Sequence, residues 1–98
     1  MYALAIIRYR RPVDEVLVHH PAHREYLQGL KRQGLLICSG PLEPRTGGAL
    51  LLRVPDEECP AILDTIRDND PYTINRVGQY ELLPWNVVTG REDIDRVA

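Results

Sequence analysis

A chain of 98 residues provides material for one domain and leaves no room for a second. Its 44% hydrophobic and 27% charged residues are ordinary for a globular protein, and a net charge of −2 argues against a dedicated nucleic-acid surface. The two cysteines form neither a disulfide framework nor a C-x-x-C zinc pair, and no apolar run approaches membrane-spanning length. Basic residues follow the first apolar run, whereas a signal peptide places them before it, so we expect a cytoplasmic location.

Residues 1–9 are predicted to form a strand that is covered on both sides. Alternation places Tyr2, Leu4 and Ile6 on one face and Ala3, Ala5, Ile7 and Tyr9 on the other. Because both faces are mostly apolar, each needs a packing partner.

A short helical turn over 13–19 is expected to lead into the main helix, predicted over 21–33. Pro21 suits the first position of a helix, and Gly34 is a natural residue to follow the last one. The 3.6-residue spacing places His23 on one stripe with Leu27 and Leu30. The histidine therefore lies at the edge of the buried face, where a core or interface histidine is the more common occurrence.

Residues 35–39 form the predicted second strand, stopped by Gly40 and Pro41, and residues 49–54 form the third. Two prolines and a glycine pair between them indicate a hairpin loop over 42–48. Cys38, within the second strand, is expected to be a small buried apolar residue.

The acidic run at 56–58 predicts the start of a second helix, whose inward stripe is Ile62, Leu63 and Ile66. Asp70 continues that stripe one turn later, just before Pro71. A carboxylate at a helix C-terminus is unfavourable by about 0.3–1 kcal/mol. It is therefore either a solvated end residue, often an Asx turn, or one held by a specific partner.

Residues 77–83 form the fourth predicted strand, ended by Pro84 and Trp85, and residues 86–98 are a polar tail. Thr89 and Glu92 form a possible capping box, so the tail is expected to be a short helix or an arm that clasps a partner. The order β-α-β-β-α-β predicts an α+β, ferredoxin-like subunit with an antiparallel four-stranded sheet. Two helices cover only one face of that sheet, so a face-to-face homodimer is expected to cover the other.

The order and spacing of several short motifs resemble the YCII-related (YciI-like) family over residues 2–86. The motifs are His20-Pro21-Ala22-His23, Tyr26-Leu27, Gly34, Ser39-Gly40-Pro41-Leu42, Gly48, Asp70-Pro71-Tyr72 and Pro84-Trp85. The resemblance implies a dimeric α/β barrel, with a family domain over 1–86 and a C-terminal tail over 87–98. It also implies a pocket that contains His23 and Asp70, which are the catalytic candidates.

The same resemblance implies that Ser39, Gly40 and Pro41 line the pocket, and we add Tyr72 and Arg76 as candidate substrate-binding residues. The family often has arginine at the position of His20, and usually a glycine in the segment 73–76. Asn75 is expected to take the left-handed backbone geometry that this glycine would supply, or else Arg76 points into the pocket as an anion clamp.

Two functions of different classes follow. The leading one is a cofactor-independent enzyme on a small cyclic or anionic substrate, similar to the family's dehydrochlorinases or to isomerases of the same fold. His23 would move the proton, with a free pKa near ~6.5, and Asp70 would orient it. The alternative is a non-catalytic, dimeric ligand-binding protein. We expect Ser39 to donate hydrogen bonds rather than act as a nucleophile, and we expect no metal at His19, His20 and His23, which lack a carboxylate at the usual spacing.

Overall fold

Four strands form one antiparallel sheet in the spatial order β2-β3-β1-β4 in the computed structural model, which describes residues 1–98. The strands are β1 (Tyr2–Tyr9), β2 (Leu36–Pro41), β3 (Gly47–Arg53) and β4 (Gly78–Trp85). The helices are α1 (Val13–Leu17), α2 (His20–Arg32), α3 (Cys59–Asn69, after a 3₁₀ turn at Asp56–Glu58), α4 (Pro71–Ile74) and α5 (Arg91–Val97). This α+β arrangement confirms the predicted ferredoxin-like subunit. None of the helices is long and apolar enough to cross a membrane.

Helix α2 ends in a Schellman motif, as Gly34 predicted. Gly34 has a φ of 77°, its N–H donates to the carbonyl of Lys31, and the N–H of Leu35 donates to the carbonyl of Leu30. The helix begins at His20, one residue before the predicted start, so Pro21 lies in its first turn. Proline is tolerated there because the N–H groups of the first turn have no helical partner. His23 and Leu30 are the buried residues of this helix.

Strands β2 and β4 are longer than predicted, because prolines do not stop them. Pro41 pairs with Gly48, and Pro84 pairs with Ala3. Both strands lie at the edges of the sheet, where a residue without an N–H leaves no neighbouring strand unpaired. The hairpin loop is correspondingly shorter than expected, and Gly47 and Gly48 belong to β3.

The core lies between the helices and one face of the sheet. Ala3, Ala5 and Ile7 of β1 are at most 2% exposed and pack with the inward residues of β3 and the helices. The helical contribution comes from Val16, Leu30, Leu63, Ile66 and Tyr72. His23 of α2 and Asp70 at the end of α3 are buried between the helices and this face of the sheet, so the packing of the core positions both residues.

The opposite face of the sheet is apolar and only partly covered. Leu4 lies opposite Leu51 and Leu83, and Trp85 is 44% exposed at the same face. Cys38 pairs with Leu51 on this face and is exposed, so its predicted burial is wrong for the single chain. The reason is alternation along β2, which turns Cys38 toward the face of the sheet that the helices do not cover.

The C-terminal tail forms the expected short helix, α5, and it lies over Tyr2. The Tyr2 hydroxyl donates to Asp95 at 2.6 Å, and its side chain is 2% exposed. The predicted capping box of Thr89 does not form: Gly90, with a φ of 83°, precedes the helix, and no side chain caps it. A glycine tolerates that left-handed geometry, and the helix starts at Arg91, one residue later than a Thr89 cap would place it.

Candidate active site

A cavity of about 240 Å³ lies between α2 and the β2–β3 hairpin. Five of the predicted site residues line it: His23, Ser39, Gly40, Pro41 and Tyr72. Ser39 faces the cavity because it lies opposite the buried Leu50 in the sheet register. The glycines of β3 leave the neighbouring wall without side chains.

His23 and Asp70 form a buried contact beneath this cavity. The His23 Nδ1 atom lies 2.8 Å from Asp70 Oδ1, and the two residues are 7% and 0% exposed. A carboxylate can only accept, so Nδ1 carries the proton and donates it to Asp70. His23 Nε2 has no hydrogen-bond partner within the chain, and His23 lines the cavity, so this atom is left for a ligand.

Asp70 is held in place by two further donors. Its Oδ1 atom also accepts the backbone N–H of Tyr72 at 2.9 Å, so it caps α4 immediately after α3 ends. Its Oδ2 atom accepts the Tyr80 hydroxyl at 2.5 Å. Asp70 is therefore not the solvated end residue that the sequence allowed: it is 0% exposed, forms the expected Asx turn and is held by a specific partner.

Tyr80 is a site residue that sequence reasoning missed. Burial raises the pKa of the Tyr80 phenol, and the neighbouring Asp70 carboxylate raises it further, so the hydroxyl stays protonated and donates. Alternation along β4 places Tyr80 on the inward face with Gly78 and Leu82, and this signal could have indicated a buried phenol. The identity of its partner depends on the distance between β4 and the start of α4.

The ring of Tyr72 packs against the ring of His23. The two rings stack with centroids 3.8 Å apart and planes 3° from parallel, and Tyr72 is 2% exposed. Its hydroxyl lies 3.2 Å from His20 Nδ1. Burial and the neighbouring Tyr9 raise the pKa of Tyr72 to about 12, while burial and the charges of Arg45 and others lower that of His20. A neutral imidazole and a protonated phenol therefore meet at this contact.

Arginine side chains give the cavity a positive entrance. Arg24 of α2 and Arg45 of the hairpin loop both line it, and the Arg45 Nε–H donates to the Tyr9 hydroxyl at 3.3 Å. Sequence reasoning assigned neither arginine to the site. The proximity of Arg45 to Ser39-Gly40-Pro41 along the chain was the available signal.

The structure does not bring Arg76 to this cavity. Arg76 lines a separate depression with Arg10, Arg11 and Arg67. It also adopts the left-handed geometry, with a φ of 59°, that was expected at Asn75, whose φ is −91°. The turn after α4 is thus one residue longer than expected, and it carries the arginine away from His23.

Ser39 and the histidines at the start of α2 are arranged as follows. The Ser39 hydroxyl makes no hydrogen bond to His23, whose donor contact goes to Asp70. No group of three or more His, Cys, Asp and Glu side chains lies close enough together to hold a metal ion. His19 precedes α2 without lining the cavity.

Comparisons with known proteins agree with the motifs. No curated protein sequence matches the chain. Among solved structures it is similar to 5-chloro-2-hydroxyhydroquinone dehydrochlorinase (TftG) from Burkholderia phenoliruptrix, in complex with 2,5-dihydroxybenzoquinone. The TM-score is 0.74 at 20% identity, over 91% of this chain and 97% of that one, a likeness that shows the shared fold. The family model described as the YCII-related domain matches residues 1–86, and the chain therefore belongs to the YCII-related family.

Proposed function

We propose that this protein is a cofactor-independent enzyme that removes a proton from a small cyclic, anionic substrate. The observation that carries the proposal is the buried His23–Asp70 contact of 2.8 Å at the base of a cavity, with Nε2 free of protein partners. Such a pair supplies a general base without any other group.

The hydrogen-bond network supports a defined role for each residue. Asp70 accepts the Nδ1 proton of His23, so Nε2 carries the lone pair that takes the substrate proton. The imidazolium formed in this step is stabilised by the adjacent carboxylate. In an elimination, an acidic O–H or C–H bond of the substrate breaks, its proton goes to Nε2, its electron pair forms the new double bond, and the leaving group departs with its own bonding pair.

The cavity favours a small anionic ring. Ligand pockets commonly measure about 300–1,000 Å³, so 240 Å³ suits a single ring rather than a larger cofactor or substrate. Arg24 and Arg45 at the entrance offer guanidinium donors to a phenolate or carboxylate. The dehydrochlorinase of similar fold was crystallised with a ligand of this kind, a dihydroxybenzoquinone.

The test is chloride release from chlorinated hydroxyquinols, with 5-chloro-2-hydroxyhydroquinone as the first compound. We expect His23→Ala to lower kcat/KM by about 10²–10⁴-fold, the range for losing a general base. His19→Ala is the matched control, because His19 lies on the same segment outside the cavity. If a compound binds, as followed by thermal shift, but neither it nor related rings turn over, the protein is a ligand-binding member of the family and the enzyme proposal is wrong.

We also propose that two subunits pair through the open face of the sheet. Leu83 and Trp85 are 40% and 44% exposed there, next to the half-buried Leu4 and Ile6. A stable interface of this type buries about 800 Å² per partner. Sedimentation should show a dimer that Leu83→Asp dissociates, whereas Val88→Asp, at a residue 74% exposed beyond the sheet, leaves it intact. A wild-type monomer at micromolar concentration would contradict this arrangement.

A further inference from the structure

A second depression, of about 600 Å³, lies beside the first residues of β4, away from the 240 Å³ cavity. No aliphatic or acidic side chain lines it. Its lining consists of Arg10, Arg11, Arg67, Arg76, Thr73, Gly78, Gln79 and Tyr80. Four guanidinium groups thus surround one concave surface of a protein whose net charge is −2.

Two of the four arginines of this arginine depression form ion pairs with carboxylates. Arg11 pairs with Glu15 at 2.7 Å, and Arg67 pairs with Asp68 at 2.8 Å and with Asp64 at 3.3 Å. Arg10 donates only to the neutral amide of Gln79. Arg76 forms no side-chain hydrogen bond and no ion pair.

Two local features of this surface are unusual, a strained backbone at Arg76 and an unpaired hydroxyl at Thr73. Arg76 has a φ of 59°, a left-handed conformation that a residue with a Cβ rarely adopts. The Thr73 hydroxyl is the one buried side-chain polar atom of the chain without a hydrogen-bond partner. Unpaired buried polar groups are rare in folded proteins, and a ligand is one explanation for them.

We propose that the arginine depression binds the phosphate group of a small molecule. The planar guanidinium fork matches the spacing of phosphate oxygens and binds them through paired hydrogen bonds. Arg10 and Arg76 provide the uncompensated charges, and Thr73 provides a hydroxyl at the floor. The volume exceeds that of inorganic phosphate, so an ester's organic group also fits.

The depression and the candidate active site share one residue, Tyr80. Tyr80 lines the depression, and its hydroxyl donates to Asp70 Oδ2. His23 lines only the other cavity. Binding at the arginine depression therefore does not require His23, which separates this proposal from the proposed enzyme activity.

The test is isothermal titration calorimetry with inorganic phosphate and, separately, phenyl phosphate, at constant ionic strength set with sodium chloride. Both are expected to bind saturably at one site per chain. Arg76→Asn removes the charge yet tolerates the left-handed backbone, and it should weaken binding by about tenfold or more. Arg10→Gln should act in the same direction. Preference for the ester over the free ion identifies the source of the phosphate group.

Two controls make the result specific. Arg32→Asn removes one positive charge from an exposed arginine that pairs with Glu25, far along α2, and should change affinity by less than about twofold. His23→Ala should bind phosphate like the wild type. The proposal is wrong if neither ligand binds saturably, if Arg32→Asn weakens binding as much as Arg76→Asn, or if His23→Ala abolishes it. It is also wrong if Arg76→Asn changes affinity only by changing the oligomeric state in sedimentation.

Discussion

Replacing Asp70 by alanine tests the buried network that defines the candidate active site. The carboxylate accepts three hydrogen bonds, from His23 Nδ1, the Tyr72 N–H and the Tyr80 hydroxyl, and it is fully buried. Each hydrogen bond to a charged group contributes about 1.5–3 kcal/mol, but such terms are not additive. Because alanine would leave buried donors without an acceptor, we expect the free energy of unfolding to fall by about 3–5 kcal/mol.

The expected loss is a large part of the total, since a domain is stable by about 5–15 kcal/mol. Asp70→Asn retains the shape and one acceptor oxygen, and should cost only about 1–2 kcal/mol, so it keeps the test usable if the alanine variant does not fold. Asp68→Ala is the matched control, because Asp68 is exposed and its pair with Arg67 is worth about 0–1 kcal/mol.

Urea unfolding followed by far-ultraviolet circular dichroism measures all three variants, with the denaturant slope required to stay constant. A loss for Asp70→Ala that is no larger than the loss for Asp68→Ala would refute the reasoning. It would mean that the three donors find other partners, and that Asp70 neither caps α4 nor orients His23 in solution.

Three further predictions concern stability. Tyr80→Phe should cost about 1–2 kcal/mol in urea unfolding, and less in the Asp70→Ala background, where the hydroxyl has no carboxylate to bond; equal losses in both would contradict the contact. Gly47→Ala should lower the free energy of unfolding by about 1–3 kcal/mol or more, since its Cβ would lie 1.9 Å from the Ile7 carbonyl oxygen. Gly29→Ala in α2 is the control and should raise the free energy of unfolding by about 0.5–1 kcal/mol. Similar effects of the two substitutions in urea unfolding would show that β1 and β3 do not approach as closely as described. Burial is the main cause that raises the pKa of three phenols above the ordinary ~10, so their stabilising effect is complete below pH ~10 and is lost as pH rises through the folded pKa, which is about 12 for Tyr26 and Tyr72. These phenols are those of Tyr26, Tyr72 and Tyr80. Tyrosinate absorbance should therefore show three of the five tyrosines ionising only with unfolding, and ionisation of all five in the folded state by pH ~11 would contradict their burial.

Local patterns determined most of the fold. The order of strands and helices, the Schellman ending at Gly34 and the inward position of His23 follow from periodicity and from glycine and proline preferences, which act over a few residues. The predicted ends of β2 and β4 were wrong because proline was taken to end a strand. A local preference does not reveal which strand lies at the edge of the sheet, where proline is tolerated.

The candidate site was only partly predictable. The motif resemblance pointed to His23 and Asp70 as candidates. The local signals for Tyr80 and Arg45, alternation along β4 and proximity to Pro41 in the chain, did not reveal that Tyr80 contacts Asp70 or that Arg45 lines the cavity. The sequence predicted Arg76 in the pocket with His23, whereas Arg76 lines the arginine depression. The left-handed φ angle falls at Arg76 rather than at Asn75, and the sequence did not reveal which of the two residues would adopt it.

The sequence alone therefore determined the order of the strands and main helices, the subunit fold and the membership of the YCII-related family. The tertiary structure decided which side chains meet. It joined Tyr80 to Asp70, stacked Tyr72 on His23, and gathered four arginines from distant segments around one depression. The physical reason is range: backbone periodicity assigns a face to each residue, whereas sheet register and helix packing set the distances between faces.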